Sequence, residues 1–297
     1  MVTTSHRAHR VAIIEIVSAA ILWGFSGVAA QKLFEGGNIS PAWLAAVRVI
    51  GSGIILGAWR FGSLRRADVR GFLSDRKQLL ALFAFAIFAL DGVQLTFFLA
   101  IDHGNAITAT LLQFTSPLLI VAWVALSSSK LPPIRQVGLA LLAVVGVAMV
   151  VTRGSFGHLA MPLAGLLWGV ITATLTALYN VMPRQLLRNH SPDSVVASSF
   201  LIGAIVLFPW LLLDMPTRID PAQLMLVAFV IVGGTAIPFL LYIVSLATIE
   251  PLVANVIGTL EPIAVAIVSV IALGTRFTWG LGIGLVLVLA SVVLISS

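Results

Sequence analysis

Cysteine is absent from this 297-residue chain, and charge is nearly so: Asp, Glu, Lys and Arg together make up 9% of it. Without cysteine there is no disulfide, no thiolate nucleophile and no cysteine metal site. A soluble domain of this length needs a far larger charged fraction to cover its surface, so a water-soluble fold is excluded. Histidine is sparse too. His6, His9, His103, His158 and His190 fall at the termini or between apolar runs, none with the helical spacing of a metal site or in a His–Glu motif. A membrane-embedded pair of aspartates, the other route to intramembrane proteolysis, is also missing. The sequence therefore predicts no enzyme, no catalytic residue, no metal and no cofactor.

What is present is 60% hydrophobic. At ~20 apolar residues per membrane crossing, the chain has room for roughly ten helices and little else. Charges, prolines and Gly-Asn clusters divide the apolar stretches into spans at 11–33, 41–60, 78–101, 106–126, 134–152, 160–182, 194–213, 222–248, 252–272 and 277–296. Arg7 and Arg10 before the first stretch resemble a signal-peptide n-region. The run continues to about Leu33, too long for an h-region, and reads as a retained first span.

The net charge of +6 is unevenly placed. With the N-terminus inside, twelve basic residues fall on inner segments: Arg7, Arg10, Arg60, Arg65, Arg66, Arg70, Arg76, Lys77, Lys130, Arg135, Arg184 and Arg188. Four, Lys32, Arg153, Arg218 and Arg276, fall outside, and Arg48 lies within a span. This positive-inside bias predicts both termini in the cytoplasm and argues against a nucleic-acid partner.

The second half echoes the first at an offset close to 145. Leu22-Trp23-Gly24 returns as Leu167-Trp168-Gly169, and Thr115-Ser116-Pro117 as Leu260-Glu261-Pro262. The short joint Asp102-His103-Gly104-Asn105 matches the one at Glu250-Pro251, and Ser40-Pro41 resembles Ser191-Pro192 with a small shift. Five spans per half is odd, so the second half must enter the membrane with opposite polarity. The expectation is an all-α polytopic membrane protein of ten transmembrane helices, built as two inverted five-helix repeats over 1–152 and 153–297, the layout of alternating-access transporters.

Leu22-Trp23-Gly24 with Lys32 following, Pro41 and Arg48 in the second span, Pro117 in the fourth, Glu261-Pro262 in the ninth and the small-residue fifth and tenth spans resemble the EamA-type drug/metabolite transporter superfamily. Within it the chain is most similar to bacterial aromatic amino-acid exporters. The resemblance covers the whole chain and implies a multi-pass protein of a bacterial-type inner membrane that exports small metabolites. One departure stands out. Many members carry a Glu just after the fourth and ninth spans, where this chain has Ser129-Lys130 and Gly274-Thr275.

Ionisable residues inside spans are costly and must face the protein interior. Arg48 and Asp91 lie at depths differing by roughly 5 Å at 1.5 Å per residue, which makes a structural ion pair between the second and third spans a candidate. Glu261, near the midplane, is the candidate coupling group, with a Glu satisfied by neighbouring hydroxyls as the alternative; Glu15 can snorkel to the interface. Pro117, Pro238 and Pro262 are candidate kinks that free carbonyls such as those of Gln113 and Gly258.

Polar stripes at helical spacing mark candidate cavity faces: Asp91, Gln94 and Phe98; Thr110 and Gln113; Trp168, Thr172 and Tyr179; Thr235, Tyr242 and Ser245; Asn255 and Thr259. Helix–helix hydrogen bonding is the competing reading of the same stripes. Of the seven tryptophans, Trp43, Trp59, Trp123, Trp210 and Trp279 fall near span ends, as an interfacial belt expects. Trp23 and Trp168 are deeper and could stack on a solute. Gly138, Gly146, Gly280 and Gly284 suit the fifth and tenth spans to close packing, and a homodimer through them is an expectation. With Arg48 the one clear cation in the spans, a phosphorylated substrate is disfavoured and a zwitterion or neutral amphipathic molecule fits better. Efflux of organic cations is the second transporter reading, and a membrane receptor or scaffold the alternative of a different class.

Overall fold

The computed structural model describes residues 2–61, 72, 74–128, 133–155, 161–246, 248–249 and 251–296, and among them every regular element is a helix. Among the described residues nine helices are long and apolar enough to cross a membrane: Ala8–Glu35, Pro41–Trp59, Arg76–Asp102, Ala106–Trp123, Ile134–Thr152, Leu163–Asn189, Pro192–Leu213, Pro221–Ser245 and Val256–Leu273. A shorter apolar helix, Trp279–Leu294, completes the set. These are the first to tenth spans below. Helices are the one open-chain way to satisfy every backbone N–H and C=O without water.

The packing pattern is its own image when 145 is added to the numbering. The first span lies against the ninth and eighth, and the sixth, its counterpart, against the fourth and third. The second pairs with the seventh and the fifth with the tenth. The shared Leu-Trp-Gly motif explains part of this. At Gly24 a methyl group would meet the Ala264 methyl at 2.9 Å and the Glu261 carbonyl at 3.0 Å, and at Gly169 it would run into Leu112. A glycine at each site lets two helices of opposite halves cross closely.

Three irregularities recur at the same offset. The fourth span breaks at Phe114–Thr115, between helices Ala106–Gln113 and Ser116–Ser128, and the ninth at Thr259, between Pro251–Gly258 and Leu260–Leu273. These are breaks rather than the expected kinks, for a steric reason: the new helix starts so that Pro117 or Pro262 falls in its first turn, where a missing N–H costs nothing. The Thr115 hydroxyl donates to the Leu112 carbonyl and the Thr259 hydroxyl to that of Val256, each at 2.6 Å. Wide π-type turns interrupt the third span at Phe85–Asp91 and the eighth at Val232–Ala236. Finally, the third and eighth spans each begin with a capping aspartate. The Asp75 carboxylate accepts from the Lys77 N–H at 2.9 Å, and Asp220 accepts from the Gln223 N–H at 2.8 Å, with Gln78 and Gln223 three residues after each aspartate.

Trp59, Trp123, Trp210 and Trp279 are exposed on the bundle surface, as a lipid-facing belt requires, whereas Trp43 is not. It is buried in one cluster with Phe34, Leu44 and Ile101 of the first, second and third spans. Gly146, Gly280 and Gly284 serve the contact between fifth and tenth spans inside the chain, while Gly138 faces open space.

Candidate functional site

Arg48 does not pair with Asp91. Its side chain, 5% exposed, runs from the second span to the wide turn of the eighth, where Nε donates to the Thr235 hydroxyl at 2.5 Å and Nη2 to the Gly234 carbonyl at 3.2 Å. Proline at 238 cannot donate to the carbonyl four residues back, and that carbonyl belongs to Gly234. The kink expected at Pro238 therefore takes the form of a widened turn whose freed oxygen is claimed by Arg48. Thr235 in turn donates to the Val230 carbonyl at 2.8 Å, and Ser52, one turn along from Arg48, donates to the Ile231 carbonyl at 3.0 Å. The Phe98 ring, fully buried, lies 5.1 Å from the guanidinium carbon.

Asp91 ends the wide turn of the third span, 4% exposed, with neither carboxylate oxygen hydrogen-bonded among the described residues. It sits against Gly203 of the seventh span, so closely that a methyl group there would collide with the carboxylate. Similar depth in the membrane was not enough to pair it with Arg48, because the two helices turn these residues toward different neighbours.

Glu261 stands in the first turn of the second half of the broken ninth span, part-buried, within electrostatic reach of Arg48. On the facing first span, Trp23 packs edge-on against Phe239 at 5.4 Å and against Tyr242 at 5.7 Å, and Phe239 meets Phe200 at 5.2 Å. This aromatic group spans the first, seventh and eighth helices. The counterpart Trp168 is half-buried against the main core.

The polar stripes divide. Trp23, Gln113, Trp168, Tyr179, Tyr242 and Glu261 keep part of their surface open. Thr172 is buried and lies 3.0 Å from the Thr96 hydroxyl of the third span, a bond between helices. Ser245 and Thr259 turn back on their own helices, donating to the Tyr242 and Val256 carbonyls. Gln94, Thr110, Pro238 and Pro262 are buried, and Pro117 is part-buried. The Asn255 side chain, His158, Ser129, Lys130 and Glu250 lie outside the described residues. Phe239, Phe200 and Ser52 escaped the sequence reading, having looked like ordinary members of apolar runs.

Both ends of the bundle are clasped across the halves. Gln223 and Asn38 exchange two hydrogen bonds, at 2.7 and 3.2 Å, Asn38 also donates to the Arg218 carbonyl at 2.7 Å, and Ser40 donates to Asp214 at 2.5 Å. At the opposite end Gln78 meets His190 at 2.5 Å, with Phe72 stacked on that imidazole at 3.8 Å. Gln78 and Gln223 are counterparts at the offset of 145, and each reaches the joint following the first span of the other half. Beside the Asn38 clasp opens a recess of about 600 Å³ lined by Phe34, Asn38, Asp102 and Asp214 among others, remote from Glu261.

The EamA-like transporter family model matches this chain twice, over residues 10–152 and 163–297. The chain belongs to the EamA-like transporter family. It is 34% identical over 97% of its length to a Salmonella typhimurium protein described as an uncharacterised inner membrane transporter, YicL, of which 95% is covered. An uncharacterised transporter of Archaeoglobus fulgidus is 24% identical over 86% of this chain and 88% of its own. A solved crystal structure superposes with a TM-score of 0.65 at 20% identity, covering 95% of this chain and 94% of that one, which shows the same fold. After the ninth span Gly274 lies in the left-handed region at φ 64°, its N–H donating to the Ser269 carbonyl to end the helix.

Proposed function

We propose that this EamA-family membrane transporter exports small amphipathic metabolites, aromatic amino acids foremost, by alternating access from an inner membrane, with both termini cytoplasmic. The observation that carries the reading is that Glu261, in the broken ninth span, sets its backbone against Gly24 of the first span, next to Trp23 and that ring's contacts with Phe239 and Tyr242. A carboxylate can take the ammonium of an amino acid or, in its place, a proton, and the rings suit an apolar side chain. Competition at Glu261 then couples export to proton entry. The family and the Salmonella relative support transport and the inner membrane.

Flux of labelled phenylalanine, tryptophan, leucine and lysine in proteoliposomes, with and without a pH gradient, tests it. Aromatic amino acids should move fastest, and Glu261→Gln should lower the ratio of gradient-driven to gradient-free flux. Transport of lipophilic cations in place of amino acids would favour the organic-cation reading. A second copy bound through the fifth and tenth spans would have to use their outer faces, Gly138 among them.

A further inference from the structure

We propose that Asp91 is a proton site, built into the joint between the third and seventh spans and separate from Glu261. The carboxyl is at mid-span, 4% exposed, both oxygens unpaired among the described residues. It is carried by a wide turn, where the helix departs from its regular hydrogen-bond ladder. Its seat is the Cα of Gly203.

No cation faces it. On the seventh span, Ser199 donates to the Val195 carbonyl, one turn from Gly203. On the sixth, Tyr179 lies with its ring 5.2 Å from Phe85. On its own span, Gln94 is the next polar side chain, and the Thr96 hydroxyl donates to Gly92. Arg48 is engaged with Thr235 and Gly234. Arg76, Lys77 and Arg184, on elements packed against the turn, are exposed at the end of the bundle, where Asp193 of the seventh span also lies.

An ionised carboxylate in such a seat has lost its water and gained no donor, which is costly at mid-membrane. A metal ion would require several oxygen ligands, and the seat opposite is carbon. A proton makes the group small and neutral, compatible with the closed joint. Losing it creates a charge that needs water, so the seventh span must draw away from the turn. Protonation and closure of this joint are therefore linked. The other half differs: the counterpart turn in the eighth span is pinned by Arg48, Thr235 and Ser52, and the counterpart of Asp91 there is Ala236. One turn is fixed and the other titrates.

Infrared pH titration of the full chain in lipid vesicles reads the proton directly. A protonated-carboxyl band should be present, should shift when aspartate alone is carbon-13 labelled, and should vanish in Asp91→Asn while remaining in Glu261→Gln. A second measurement places single cysteines in the naturally cysteine-free chain. Maleimide labelling of Ser199→Cys should rise at least fivefold as pH is raised through the infrared transition, and stay flat when Asp91→Asn is added. Where Asp91→Asn folds badly, Asp91→Glu keeps the carboxyl, and the band should then lose its response to aspartate labelling and respond to glutamate labelling instead. Absence of any protonated-carboxyl component that shifts with aspartate labelling, or survival of that aspartate component in Asp91→Asn, overturns the proposal; a separate band from Glu261 is unaffected by either change. The same measurements need no substrate, so absence of amino-acid flux would sink the substrate reading and leave this one standing.

Discussion

The Arg48 guanidinium donates at 3.2 Å to the Gly234 carbonyl, the acceptor that Pro238 deprives of its helical partner. A buried cation and a membrane proline, each unfavourable alone, satisfy one another. Arg48→Leu should leave that carbonyl unpaired, with Thr235 keeping only its bond to Val230, and destabilise the protein by about 1–3 kcal/mol. Pro238→Ala supplies a helical N–H to the same carbonyl, so the double variant should lose less than the two single losses added together. Thermal unfolding in lipid measures the cycle, and strict additivity would show the two residues to be unrelated.

The breaks at Thr115 and Thr259 make a separate prediction. Each stops one helix and starts another with proline in its first turn, so the two pieces can change angle. Pro117→Ala and Pro262→Ala should each favour a continuous helix, hold or raise thermal stability and slow transport. Because the two spans belong to repeats of opposite polarity, the variants should favour opposite facing states in side-specific labelling. Identical labelling with unchanged transport would reduce both prolines to ordinary bends.

Asp75 caps the third span outside its apolar stretch, and the Lys77 N–H it accepts holds its carboxyl below the usual carboxylate range, with the Gln78 side chain adding to the effect. A carboxyl lowered on folding adds stability that is present above its ordinary range and lost as pH falls through the lowered value. Asp75→Asn keeps an acceptor but no charge. Its melting temperature should therefore fall below the parent's at neutral pH and converge on it in acid; a gap independent of pH would contradict the assignment.

Much of the architecture was legible in the sequence because lipid imposes it. Apolar length marks the spans, and the repeated Leu-Trp-Gly motif and the prolines at 117 and 262 mark the symmetry. The site was legible only in part. Depth along a helix is countable, but the direction in which a side chain points depends on the wide turns, and those are set by tertiary partners such as Arg48. Hence Arg48 and Asp91 were matched by depth and are separated by facing. Stripe residues such as Thr172 and Ser245 carry the right polarity yet spend it on neighbouring hydroxyls and carbonyls. Asp75-x-x-Gln78 and Asp220-x-x-Gln223 stand at the offset of 145 in plain view, but short polar joints look alike until the glutamines are seen to cross between halves.

Those glutamines offer the most direct test of alternating access between two inverted halves. In the cysteine-free chain, single cysteines at Thr217 and at Asn189 report the two ends of the bundle by labelling with an impermeant maleimide from either side of oriented vesicles. Gln223→Ala should loosen the Asn38 end and raise labelling at position 217 several-fold while lowering it at 189; Gln78→Ala should do the reverse. Labelling that rises at both ends together, or at neither, would contradict two linked clasps working in opposition.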